Sequence, residues 1–489
     1  MSGSSSVDLI RAALVAAVLA PTLAFGQAGQ PLRLGPAGPP GGSPPPSVPS
    51  PSPPATTTPT TTAPAPAPSA VAPIPSAGGT LPARPPEPAP PGAWGGTLDR
   101  IAGGFGRDMW AGTTSEAAAV LLAGLPVRTT SPAVRDLVVR LLLSRADGPS
   151  GGDPDAVERL RTDRLALLGI GGPPSPAAAT PAIATAAGVA AATPGQLAAI
   201  AGDPAAAAPI RVAAAERGAR AGVVTAESLL AAYSLLPLPP IARDEPLAAA
   251  AVDPENARAI LAHGLTGEMP ASRRLALADA YVATLPAVAL GGPMADLATE
   301  RLDDARPADA GIETAARIAR ALYGVGERAR PVVWHRAALA GAGDETARRD
   351  ARHLAPLSLA AAAIEPPGDL ADWVRAETAV GDARVRVAAV LSVLAALGVP
   401  VPAFDAQILH DEPGRTPEPP TAAWAALESA VAGGRLAETA AAAAVLLGPD
   451  GPETASAPAT AAAIRGLFAV GLTDEARAIA REAVLARFD

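Results

Sequence analysis

The 489-residue chain has no cysteine, no lysine and a single asparagine, Asn256. The absence of cysteine excludes a disulfide framework, Cys-ligated zinc or iron-sulfur sites and a thiol nucleophile. Without lysine there is no Schiff-base chemistry and no Walker-type phosphate loop. Aromatic residues make up 3% of the chain, so any core rests on aliphatic and small side chains. Positive charge comes only from Arg, 38 of them against 47 acids, and no basic run is longer than Arg273-Arg274 or Arg348-Arg349. Phosphate binding needs cations gathered on one face, so a net charge of −9 without clusters argues against nucleic acid as a partner. The histidines His263, His335, His353 and His410 are too far apart for a local metal motif, and neither a metal nor a cofactor is expected.

What is abundant is just as narrow. Ala (123), Pro (57), Gly (47) and Arg (38) fill 265 positions. All four have GC-rich codons, so composition alone names no activity. Their distribution carries more. Residues 1–26 read as a secretory signal peptide: a short polar start with Arg11, an apolar run from Ala12 to Ala24, and small residues for cleavage after Gly26 or Ala28. The run is too short, and too interrupted by Pro21, to span a membrane, which predicts a periplasmic or secreted bacterial protein with no span after cleavage. Residues 27–92 hold 23 prolines and three charges, Arg33, Arg84 and Glu87. With little to bury, such a segment is expected to be a disordered Pro/Ala/Thr-rich tether reaching at most roughly 200 Å.

From residue 93 the charge density rises to 35 Arg and 45 acids, and helix signals become dense. Ser131-Pro132, Asp153-Pro154, Thr193-Pro194, Asp203-Pro204 and Asp253-Pro254 each put a capping oxygen before a proline suited to the first helical position. After Ser131-Pro132, Val134, Leu137, Val138, Leu141 and Leu142 form one apolar stripe. Val387 to Val399 has the length of a buried core helix. Strand signals are nearly absent. The expectation is an all-α body over 93–489, built of short helical hairpins stacked as a solenoid and subdivided near 411–420.

An internal echo closes the chain. Aligning Gly433 with Gly471, an offset of 38, sets Ala430-Val431-Ala432-Gly433 on Phe468-Ala469-Val470-Gly471. With small residues at Ala440 and Ala478 and seam residues Leu447 and Leu485, this region resembles tetratricopeptide-like helical repeats over Thr421 to Asp489. That resemblance implies a protein-binding superhelix, although the bulky aromatic positions of the repeat are mostly Ala here. Separately, Ala55 to Ala63 faintly resembles Ala- and Thr-rich antifreeze glycopeptides, a label that related Ala/Pro-rich bacterial secreted proteins sometimes carry. It lacks a strict Ala-Ala-Thr period.

Catalytic motifs are scarce. Gly324-Val325-Gly326-Glu327-Arg328-Ala329 imitates a dinucleotide pattern but follows no strand, and is read as a helix-helix connection. Asp350 and His353 lie one helical turn apart and are read as a solvated pair. Glu313, Glu377 and Glu428 are candidates for the protonated acid of a cell-wall lytic enzyme, without that family's flanking motifs. At the tether-body junction Trp94, Leu98, Ile101, Phe105, Met109 and Trp110 step at helical spacing. If helical, they make an aromatic stripe for a partner groove, or a first capping helix; Gly103, Gly104 and Gly106 weaken that helix. The function expected is an exported, non-enzymatic scaffold that binds an unidentified envelope protein. A peptidoglycan-lytic enzyme and an ice- or glycan-related role of the Thr-rich tether are the alternatives.

Overall fold

The computed structural model describes residues 93–170, 186–341, 343–379, 383–402 and 419–488. The signal peptide, the tether with its Thr-rich run, His410 and nearly all of the seam expected near 411–420 lie outside the described residues. The chain opens with α1 (Ser115–Gly124), α2 (Pro132–Leu143) and α3 (Pro154–Leu167), beside a two-residue antiparallel pair of β1 (Ala93–Trp94) and β2 (Ala146–Asp147). The middle runs through α4 (Ala186–Ala191), α5 (Pro194–Gly202), α6 (Ala208–Arg220), α7 (Ala226–Tyr233), α8 (Ile241–Asp244), α9 (Pro246–Val252) and α10 (Ala257–Gly264). It continues through α11 (Ala271–Ala283), α12 (Pro293–Thr299), α13 (Ile312–Gly324), α14 (Arg330–Ala340), α15 (Glu345–Ala360), α16 (Leu370–Thr378) and α17 (Ala383–Ala396). Two hairpins end it: α18 (Thr421–Ala432) with α19 (Leu436–Leu447), and α20 (Ala457–Ala469) with α21 (Thr473–Leu485). The protein is all-α, and among the described residues no helix is long and apolar enough to cross a membrane.

Local chemistry explains several helix starts. Ser131, Asp153 and Thr193 cap α2, α3 and α5, each followed by proline in the first turn, and Thr193 with Gln196 completes a capping box. Asp203-Pro204 and Asp253-Pro254 instead form turns that precede α6 and α10. There the Asp carboxylates accept from Ala205 N–H (2.8 Å) and Asn256 N–H (3.2 Å). An Asp side chain satisfies an N–H two or three residues on in a turn as readily as in a cap, so the dipeptide alone does not decide between them. The apolar stripe of α2 is fully buried at Val134, Leu137, Val138, Leu141 and Leu142, and α17 is the expected core helix. Gly324 to Ala329 is the α13–α14 turn.

Consecutive helices pack as hairpins, α5 on α6, α13 on α14 and α18 on α19 among them. The stack is also closed on itself. Helix α19 packs on α1 and α2, and α21 lies among α2, α13, α15, α17 and α20, so the last helices become the middle of the body. One continuous cluster of buried apolar side chains runs from Trp94 to Leu485. Helix α19 shows why alanine suits this position: Ala437 and Ala440 through Ala444 are all fully buried, which lets neighbouring helices approach closely on every side.

The turns of the two C-terminal hairpins correspond at an offset of 37, one less than the sequence echo suggests. Arg435 N–H donates to Ala430 O and Leu472 N–H to Leu467 O, both at 2.9 Å. The left-handed turn residues are Gly434 (φ +62°) and Gly471 (φ +85°). The double glycine Gly433-Gly434 hid the register, because the sequence does not say which of the two takes the positive φ.

Candidate functional site

The junction stripe is not a helix. Gly103 (φ +91°) and Gly106 (φ +107°) break the segment into turns, and a Cβ on Gly104 would stand 2.2 Å from the Leu98 carbonyl oxygen. The spacing that imitates a helix is carried by extended and turn backbone lying on α2 and α3. Trp94, Phe105, Met109 and Trp110 are buried, Leu98 is half-buried, and Ile101 is 99% exposed. Trp94 and Trp110 meet at 5.1 Å between ring centroids. Buried Arg161 lies over Trp94 at 5.6 Å and donates to the carbonyls of Leu142 (3.0 Å) and Gly95 (3.3 Å). Of the six stripe residues, Ile101 alone presents its whole side chain to solvent.

Beside this segment the C-terminal helices are bound to the N-terminal ones by three buried glutamates. Glu438 Oε2 accepts from Thr113 Oγ1 at 3.2 Å and pairs with Arg435 at 2.6 Å, while Ala437 N–H donates to Met109 O at 3.0 Å. Glu475 pairs with Arg140 of α2. Glu482 reaches the start of α2, where Oε1 accepts from Ala133 N–H at 2.7 Å and Oε2 meets Ser131 Oγ. A carboxylate is well placed there, since the first N–H groups of a helix have no partner within it. Burial nevertheless pushes the Glu482 carboxyl up to about 7, against the hydrogen bonds from Ser131 and Ala133 that favour its charged form. Both oxygens are occupied by α2, so this group holds two helices together.

Among the three expected acids, Glu313 and Glu428 are exposed and Glu377 is buried. Glu377 Oε1 accepts from Arg349 Nε (3.2 Å) and meets His353 Nε2 (2.9 Å), and Oε2 accepts from Arg386 Nη2 (2.7 Å). Burial alone would raise its pKa, but hydrogen bonds from Arg349, His353 and Arg386 outweigh it and hold the carboxyl at about 2. That is the opposite of what a general acid requires. His353 therefore belongs with Glu377 and with the stacked ring of Phe488 (4.5 Å) rather than with Asp350, which is exposed. His335 is fully buried, touches Tyr323 Oη through Nδ1 at 3.3 Å, and is pushed down by burial to about 4.

An open concavity of about 530 Å³ is lined by Asp99, Arg100, Ile101, Arg107, Asp108 and Arg145, and two smaller cavities also have converging polar groups. The first, about 200 Å³, lies between α11, α13 and α15, with an apolar floor including Val282, Leu285 and Leu290 and a rim of Glu313, Arg317, Arg320 and Asp350. The second, about 210 Å³, is lined by Glu216, Tyr233, Asn256 and Arg258. There Arg258 pairs with Glu216 at 2.7 Å and Tyr233 Oη donates to Glu216 at 2.9 Å. Burial drives the Tyr233 phenol up, so it stays neutral and cannot serve as a base. These two are smaller than the roughly 300–1,000 Å³ of ordinary small-molecule sites. Among the described residues no group of three or more His, Cys, Asp or Glu side chains is placed to hold a metal ion.

The three bridging glutamates escape a reading by local motif because each partner lies more than 300 residues away. One signal was present. At the correct offset of 37, Glu438 and Glu475 occupy the same place, third in the second helix of each hairpin. Comparison with protein-family models, curated proteins and solved structures returns no match.

Proposed function

We propose that the chain is an exported, non-enzymatic helical scaffold that binds protein partners in the bacterial envelope, its Pro-rich segment serving as a spacer. The observation that carries this reading is the use of the buried ionisable groups. Glu377, Glu438, Glu475 and Glu482 are each engaged in joining helices, which suits a body whose role is to hold a surface in a fixed shape. The resemblance of the last two hairpins to tetratricopeptide-like repeats agrees with a binding role, and residues 1–26 supply the argument for export. The ionised state of Glu377 takes away the proton that a lytic mechanism would draw from it.

The test has two parts. Residues 1–28 fused to a reporter active only outside the cytoplasm give activity, and Leu14→Asp with Val18→Asp abolishes it. The purified chain leaves peptidoglycan intact, while crosslinking in its own envelope recovers discrete protein partners. Soluble muropeptides released by the chain and lost with Glu377→Gln would overturn the reading in favour of an enzyme. Thermal hysteresis that disappears on deleting 55–63 would favour ice binding.

A further inference from the structure

Helices α6, α7 and α10 and the end of α11 meet around the second polar cavity, of about 210 Å³. On its wall Glu216 of α6 accepts from Tyr233 Oη of α7 at 2.9 Å and pairs with Arg258 of α10 at 2.7 Å. Glu482 spends both oxygens inside a closed contact, whereas Glu216 and Arg258 line an opening and keep 19% and 28% of their side chains exposed.

The hydrogen bonding of this wall is incomplete within the protein. Arg258 Nε is buried without a partner among the described residues, and its Nη2 reaches the Thr284 carbonyl only at 3.4 Å. Tyr281 Oη, fully buried beside Tyr233, Glu216 and Arg258, has no hydrogen-bond partner among the described residues either. Asn256, the single asparagine of the chain, stands at the N-cap position of α10, yet its side chain caps nothing. Its Nδ2 donates to Asp253 Oδ2 at 2.9 Å, which fixes the amide and leaves the carbonyl oxygen uncommitted on the cavity lining. Buried polar groups are ordinarily paired, so groups left unpaired around one cavity suit a ligand that supplies the missing partners.

Charge and size define that ligand. Glu216 and Arg258 cancel, and the remaining charge on the lining is Glu255, so an anion meets repulsion and a cation has to compete with Arg258 for its carboxylate. A carboxylate that accepts, a guanidinium that donates, and an amide and a phenol that do both match hydroxyl groups, each of which donates and accepts. Val212, Leu236 and Ala259 add apolar wall for the C–H faces between those hydroxyls. The volume lies below the roughly 300–1,000 Å³ that takes drug-sized ligands and leaves room for one ring. We infer that this cavity binds a small neutral polyol the size of a single sugar, held by Glu216, Tyr233, Asn256 and Arg258. The site goes beyond the scaffold reading and does not depend on it.

Saturation-transfer NMR of the purified full-length chain with D-glucose, D-galactose, D-mannose and myo-inositol, each at millimolar concentration, tests the inference. At least one is expected to receive transfer, with a dissociation constant in the millimolar range or below. D-glucuronate, which adds a carboxylate to such a ring, is expected to bind at least about tenfold more weakly than the neutral sugars that do. Asn256→Ala and Tyr233→Phe each remove a hydrogen-bonding group and leave the Glu216–Arg258 pair in place, and each weakens binding about tenfold. An unchanged urea midpoint for Asn256→Ala shows that its loss of binding is not one of folding. The methyl glycoside of a sugar that binds separates the sources: retained binding admits the end of a glycan chain, lost binding leaves the free sugar, and either supports the site. No transfer to any of the four, or transfer unchanged in both variants, overturns the polyol site while leaving the scaffold reading intact. Binding of D-glucuronate in preference to the neutral sugars likewise overturns it.

Discussion

Replacing Glu482 by Gln should make the protein more stable at pH 8 and leave it almost unchanged at pH 4.5. Glu482 is 7% exposed and contacts the first turn of α2 through both oxygens. Its carboxyl is raised from the ordinary 4.5 to about 7 by burial, with Arg481 beside it favouring the charge and Asp136 opposing it. Between those two pH values the folded chain holds a proton that the unfolded chain has lost. Stability therefore falls as pH rises through the window and levels off above 7, a total of about 3 kcal/mol at most. Gln imitates the protonated acid: its carbonyl accepts from Ala133 N–H, and its amide donates to Ser131 Oγ, which also accepts from Val134 N–H at 3.1 Å. Urea unfolding of both proteins from pH 4.5 to 8 gives the difference curve. His335 (about 4), Asp296 (about 6) and Glu377 (about 2) titrate in both proteins and cancel in that difference. The expected curve rises with pH in favour of Gln by about 1–3 kcal/mol. A flat curve, or a Gln variant that is weaker at pH 8, would refute the assignment of Glu482 as a buried carboxyl that binds a proton on folding.

Four further outcomes rest on the same packing. Glu377→Ala should cost about 2 kcal/mol in urea unfolding at pH 7, less than the roughly 3–5 for a fully buried pair, because Arg349 and Arg386 can turn toward water; their side chains keep 38% and 29% exposure. Gly434→Ala and Gly471→Ala should each lower stability by about 1–2 kcal/mol through backbone strain alone, since a Cβ at either site meets nothing within 4 Å; equal effects would verify the offset of 37. Acrylamide should quench Trp424 more readily than the other four tryptophans, which are at most 2% exposed, and Trp94→Phe should alter the near-UV circular dichroism of the 5.1 Å Trp94–Trp110 pair.

The junction segment shows where sequence reasoning stops. Its apolar residues step by four, three, four and four, and that arithmetic is correct, yet the backbone runs through turns. Three glycines remove the local preference for helix, and the side chains are buried by α2 and α3 from outside the segment. Periodicity reports a face only when the backbone that carries it is already regular. Asp203 and Asp253 fail for a related reason, since one side-chain hydrogen bond serves a cap and a turn equally.

The sequence by itself determined the all-α class, the caps at Ser131, Asp153 and Thr193, the buried stripe of α2 and the core helix α17, because each depends on residues within one or two turns of one another. Closure of the stack was decided only in three dimensions. Thr113 with Glu438, Ser131 with Glu482 and Arg140 with Glu475 join residues more than 300 positions apart. No local preference encodes such a pairing; it arises when α19 and α21 bury their alanine-rich faces against the N-terminal helices. The same burial makes the carboxyls of Glu438, Glu475 and Glu482 the bonds between the two ends of the body.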